Sequence, residues 1–178
     1  IGLAKSLALM STITPNLQVQ TDLVNELIEK HPKMNHPFRI NPEDIDNMIK
    51  VFHNGKWSGI INIKDGITFF DNLKQMRRIG KLSKMVSVTM DYIQKDLLIY
   101  TEAGRLIRPL LNVRDNRIHL TKKMVKDINS ETTGEKKNMG WNNIMLKYPD
   151  LIDYEDIESS RNIMIAMDLE MLEDNKTN

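Results

Sequence analysis

The side chains that could do chemistry are few, and their spacing favours none of the usual reactions. Four histidines are present, His31, His36, His53 and His119. His31 and His36 flank prolines in one loop with no carboxylate beside them, a poor donor set for zinc. The chain has no cysteine, so thiolate metal sites, disulfides and cysteine nucleophiles are excluded together. Asp150, Asp153, Glu155, Asp156 and Glu158 form the densest acidic cluster. It lacks the bend glycine and regular spacing of a calcium loop, so it reads as a solvated strand end. No glycine-rich phosphate loop or Gly-x-Ser-x-Gly elbow occurs, and Ser6, Ser11 and Ser58 have no local His and acid partners. The residues by themselves assign no catalytic, cofactor-binding or metal-binding side chain.

Charge is the stronger signal. Net charge is +1 over 178 residues, but the stretch from Lys74 to Lys126 holds 13 basic residues against 4 acidic ones. Residues 131–178 reverse this, with 5 basic and 11 acidic. A basic stretch can face phosphates or an acidic protein surface. Few aromatics interleave with these charges, so they read as a solvated face spread over several elements. Arg77, Arg78, Arg105 and Arg108 are the candidate phosphate or subunit contacts within it.

Elements of both kinds must position these groups. Leu3, Leu7 and Met10 share one face of an opening helix that Thr14-Pro15 stops. Thr21 is the expected N-cap of a helix carrying Leu23, Val24, Leu27 and Ile28, closed at His31-Pro32. Asn41-Pro42-Glu43-Asp44 starts a short helix with Ile45, Met48 and Ile49 on its buried side. Asn54-Gly55 between β-formers is a two-residue hairpin turn, with Phe52 and Trp57 paired across it. Asp65 is the expected cap of a helix with Ile67, Phe70, Leu73 and Met76 inward and Arg77-Arg78 at its negative end.

Residues 86–90 alternate like a half-buried strand. Asp96–Thr101 and Arg105–Leu111 are expected to pair as a hairpin turned at Gly104, with Pro109 at an edge or bulge. Thr121 caps a helix carrying Met124, Val125 and Ile128; residues 129–139 read as a loop and 140–147 as a helix. Leu151–Tyr154 and Asn162–Met167 are β-like runs, and about six residues after Leu172 read as a tail. The 12 methionines fall mainly on these core stripes. The fold class is α+β: mixed β-hairpins and sheet packed with several short helices in a single domain. No apolar run approaches the roughly 18–20 residues of a membrane span.

Three segments carry a resemblance. Gly2-Leu-Ala-Lys-Ser-Leu-Ala-Leu-Met10, Val51-Phe-His-Asn-Gly-Lys-Trp-Ser-Gly59 and Lys95-Asp-Leu-Leu-Ile-Tyr-Thr-Glu-Ala-Gly-Arg-Leu-Ile-Arg-Pro-Leu-Leu111 resemble, in order and spacing, the second-largest subunit of multisubunit DNA-directed RNA polymerases. Trp141–Tyr154 and Ser160–Met167 extend the likeness. The eukaryotic and archaeal type fits better than the bacterial. Ile, Asn and Lys supply 55 of the 178 residues, a bias that suits a copy from a large DNA virus.

The resemblance implies residues 1–15 as the end of the fork region, 16–172 as an external 2-like domain and 173–178 as a flexible tail. Ile1 in place of Met leads us to expect a piece of a longer polypeptide. The implied reaction is nucleotidyl transfer by the whole enzyme, with magnesium and zinc held outside this segment and no catalytic residue within it. Implied partners are other polymerase subunits and, through the complex, template DNA and RNA, with no membrane. The implied location is the nucleus for a cellular eukaryotic copy and host cytoplasm or virion for a viral one. Gly55 and Gly104 are structural turns, and Arg105 and Arg108 tie strand ends to acids. A stand-alone nucleic-acid-binding module using residues 74–126 is the alternative.

Overall fold

The computed structural model describes residues 10–133, 141–166 and 168–174. Apolar residues with period two mark the two central strands, Met48–His53 and Asp96–Tyr100, of one mixed sheet. Strands β2 (Met48–His53) and β3 (Lys56–Asn62) form an antiparallel hairpin, followed by helix α2 (Ile63–Arg78), β4 (Ser87–Asp91) and β5 (Asp96–Tyr100). The sheet order is β3-β2-β5-β4, with β2 and β5 parallel. The Asn54-Gly55 turn is as expected, with φ of 49° and 77°, and Phe52 stacks on Trp57 at 6.2 Å. A one-residue bulge follows Trp57, whose indole N–H donates to Gly59 O at 2.9 Å.

Helix α1 (Gln18–Glu29) and α2 cover this sheet. Val24, Ile28, Phe69, Phe70 and Leu73 pack against Ile49, Val51, Leu97 and Ile99 in one core. Gly66 permits the close approach of α2: a Cβ there would meet Ile49 Cδ1 at 2.8 Å.

A second sheet is ordered β1-β6-β9, from Thr12–Ile13, Leu106–Leu111 and Ile152–Glu155. A two-stranded ribbon, β7 (Val113–Arg114) and β8 (Arg117–Ile118), leads to α3 (Lys122–Thr133) and α4 (Trp141–Lys147). The one-turn helix α5 (Ile157–Ser160) follows β9, and α6 (Glu170–Asp174) ends the described chain. The α+β, single-domain expectation holds.

Several local expectations are corrected. Arg105–Leu111 is not the hairpin partner of β5: β6 leaves that sheet and pairs with β1 and β9. Gly104 has its expected positive φ, 83°, but it turns the chain from one sheet to the other. Beyond Ile107 the strand has β9 alone as partner, so Pro109 sits where a missing donor costs little. Thr21 lies inside α1, which starts after Leu17. Asn62, not Asp65, caps α2 by accepting from Lys64 N–H. Ile67 is exposed while its neighbours Gly66 and Phe69 face inward.

Met48 and Ile49 belong to β2, after a 3-10 turn at Pro42–Asn47. β4 is buried at four successive residues rather than alternating, because α2 and α5 both pack on it. Residues 129–133 continue α3, Glu173 and Asp174 close α6, and Asn162–Ala166 forms no strand. The opening helix and residues 134–140, 167 and 175–178 lie outside the described residues.

Candidate functional site

Two carboxylate-bearing strand positions meet the end of α2. Asp153 and Glu155 are two apart on β9 and therefore share a face. Arg77 continues the buried stripe of α2, four residues after Leu73. Its side chain is 2% exposed, and Nη2 donates to Glu155 Oε1 at 2.9 Å. Nη1 donates to Val86 O at 3.1 Å and Tyr154 O at 3.4 Å. Arg78, beside it and more open, donates to Asp153 Oδ2 at 3.2 Å.

Burial works against the charge on Asp153, yet Arg77 and Arg78 outweigh it and hold the carboxyl below its usual range. Lys84 donates to Pro149 O and Ile152 O at 3.0 and 3.3 Å. Burial lowers its pKa against the pull of Asp153.

Arg105, just after the Gly104 turn, repeats this device at the next acid. It donates to Asp156 Oδ2 at 2.9 Å, to Met85 O at 2.7 Å and to Glu102 O at 3.1 Å. Asp156 also caps α5 through Ser159 N–H. Burial opposes its ionisation, but the Ser159 amide, Ser87, Arg105 and the Ser159 hydroxyl together hold its pKa low. Together these bonds rivet α2 and the approach to β4 onto β9 and α5.

The acidic cluster is thus no solvated strand end: Asp153, Glu155 and Asp156 are buried because arginines neutralise them. Arg108 is exposed on β6 and joins none of these pairs. The missed signal was positional: an arginine on an apolar helical stripe, and two acids in period two on an apolar strand.

A polar hub joins α1 to the other end of the sheet. His53, buried, places Nδ1 2.7 Å from Asn25 Oδ1 and Nε2 3.1 Å from Thr101 Oγ1. Thr101 Oγ1 also meets Asn54 Nδ2 at 2.9 Å and Thr21 Oγ1 at 2.7 Å. Thr21 Oγ1 also lies 3.3 Å from Leu17 O. A hydroxyl donates once and accepts twice. Nδ1 of His53 faces the Asn25 amide oxygen, which only accepts, so the neutral ring carries its proton on Nδ1 and Nε2 accepts from Thr101, whose oxygen in turn receives Asn54 and Thr21. Burial lowers the pKa of His53, opposed by Glu102.

Neither cluster contains an activated nucleophile. Among the described residues no three His, Cys, Asp or Glu side chains converge as metal ligands, and no helix is long and apolar enough to cross a membrane.

Residues 51–114 match the family model for RNA polymerase Rpb2, domain 4. Over 97% of its length the chain is 33% identical to DNA-directed RNA polymerase subunit 2 of Acanthamoeba polyphaga mimivirus, covering 13% of that protein. It is 31% identical, over 99% of its length, to the DNA-directed RNA polymerase II subunit RPB2 of Encephalitozoon cuniculi, covering 14% of it. The chain belongs to the family of second-largest subunits of DNA-directed RNA polymerases.

The RNA polymerase III subunit RPC2 of Drosophila melanogaster is also similar, at 30% identity over 99% of this chain and 14% of that protein. This second-largest-subunit segment thus spans about one-seventh of the length of its relatives. The matched span includes both glycine turns and all four candidate arginines; the acids that receive Arg77, Arg78 and Arg105 lie beyond it.

Proposed function

We propose that this chain is a bracing domain of a DNA-directed RNA polymerase, supporting DNA-templated RNA synthesis without supplying a reacting group. Residues 1–15 are the end of the fork and 16–172 an external 2-like domain that buttresses it and meets other subunits. The observation that carries this reading is the buried Arg77–Glu155 pair, with Arg78 and Arg105 beside it. The conspicuous charges serve to hold one layer on another. The magnesium and zinc that the family resemblance implies are placed in parts of the polymerase outside this chain; among the described residues no three His, Cys, Asp or Glu side chains converge as metal ligands. DNA and RNA are met through the whole complex, in the nucleus for a cellular enzyme and in host cytoplasm or virion for a viral one.

The nucleic-acid-module reading loses its densest charges, since Arg77, Lys84 and Arg105 are turned inward onto acids and carbonyls. The test compares the purified chain with the assembled polymerase carrying Arg77→Met. The chain alone incorporates no nucleotide. The variant enzyme assembles poorly or inactivates at lower temperature, with an unchanged elongation rate per assembled complex. Nucleotide incorporation by the isolated chain overturns the reading.

A further inference from the structure

The segment after α5 has a strand's pattern without a strand's partner. Ile163 and Ile165 are half-buried while Met164 and Ala166 are exposed, the period-two alternation of an extended chain with one seated face. All four residues border a cleft of about 640 Å³ together with Pro109, Leu111 and Leu172, the two isoleucines seated more deeply than Met164 and Ala166. Asn162 anchors the start of the segment by donating from Nδ2 to Met90 O at 3.1 Å. Yet among the described residues no backbone N–H or C=O of Ile163–Ala166 takes part in a hydrogen bond. Nearby Met164, Leu169 and Met171 expose apolar surface, Met164 at 95%. The backbone of a β-forming run is therefore unladdered among the described residues, beside the exposed apolar side chains of Met164 and Leu169.

We propose that Ile163–Ala166 is a docking strand for an extended segment of the same subunit that lies outside this chain. The free groups call for a strand, because only an extended backbone presents donors and acceptors at the matching repeat. Met164 and Leu169 call for apolar side chains on that strand. The exposed acids Asp168 and Glu170 favour a basic residue at its flank. About six-sevenths of each relative's length lies outside the matched region, so the subunit has ample chain to supply it. The inference rests on the subunit reading.

Hydrogen exchange of the peptide spanning residues 160–168 tests it, in the 178-residue chain, the complete subunit and the assembled polymerase. The expected result is fast exchange in the chain and exchange slowed at least ~100-fold in the complete subunit, with β2 and β5 protected in all three. Met164→Pro and Ile165→Pro remove donors from opposite edges, and one of the two restores fast exchange in the subunit.

Fast exchange in the complete subunit overturns the proposal. So does protection already present in the short chain, whether constant or rising with its concentration as a second copy would produce, and so does protection that first appears with other subunits. Failure of the complete protein to enter a polymerase overturns the subunit reading instead.

Discussion

Replacing Arg77 with Met keeps most of the side chain's length and removes its charge. Three hydrogen bonds disappear, to Glu155 Oε1, Val86 O and Tyr154 O. Glu155, whose side chain is 6% exposed, loses the guanidinium that donates to it. Removing one partner of a buried pair costs about 3–5 kcal/mol, chiefly because the other charge stays desolvated. In a domain of this size each kcal/mol lowers Tm by about 2–4 °C, so the expected drop is about 6–20 °C.

The double variant Arg77→Met with Glu155→Gln removes both charges, and it should recover at least ~1 kcal/mol relative to the sum of the single losses. Urea unfolding followed by far-UV circular dichroism supplies the cycle. A loss below ~1 kcal/mol for Arg77→Met, or strict additivity, refutes the assignment of this pair as the interlayer fastener.

Three further outcomes follow from the same geometry. Asp153 and Asp156 have folded pKa values held below 3.8. Their stabilisation is complete above the unfolded value and is lost as pH falls through the folded values, so denaturation midpoints should drop below about pH 4, less steeply in Asp156→Asn. His53 is depressed from 6.5; the unfolded state takes up its proton first, so stability declines as pH falls below 6.5, and ¹⁵N NMR at pH 7 should show protonated Nδ1 and bare Nε2. An imidazolium signal at that pH contradicts the hub. A Cβ added at Gly104 meets no atom within 4 Å, so the cost of Gly104→Val is chiefly conformational, about 1–3 kcal/mol, and an unchanged Tm removes the need for positive φ there.

The legible parts of the sequence were those governed by neighbours along the chain. Asn54-Gly55 demands positive φ at two successive positions, and the alternation on either side fixed the hairpin. The stripe Leu23, Val24, Leu27 and Ile28 likewise marked α1. What failed was decided at long range. Nothing local distinguishes β6 as the partner of β5 from β6 as the partner of β1 and β9, because Gly104 serves either path.

The charged residues misled for a related reason. Asp153 and Glu155 look solvated until Arg77 is placed over them, and Arg77 sits 76 and 78 residues away along the sequence. Helix caps were missed by a few residues: Thr21 offered better capping chemistry than Leu17, and Asp65 chemistry equal to that of Asn62. Tertiary bonds used Thr21 elsewhere: its hydroxyl serves Thr101.

The two-residue strand β1 sets a schedule for the ribosome. Thr12 pairs with Ile107, and Thr14 hydroxyl donates to Glu102 O across 88 residues of intervening chain. At about 5–20 residues per second, β1 leaves the exit tunnel roughly 5–20 s before its acceptor does. During that interval the hairpin, α2 and β4 can collapse around β2 without it. β1 is therefore fastened late, after most of the body it joins already exists.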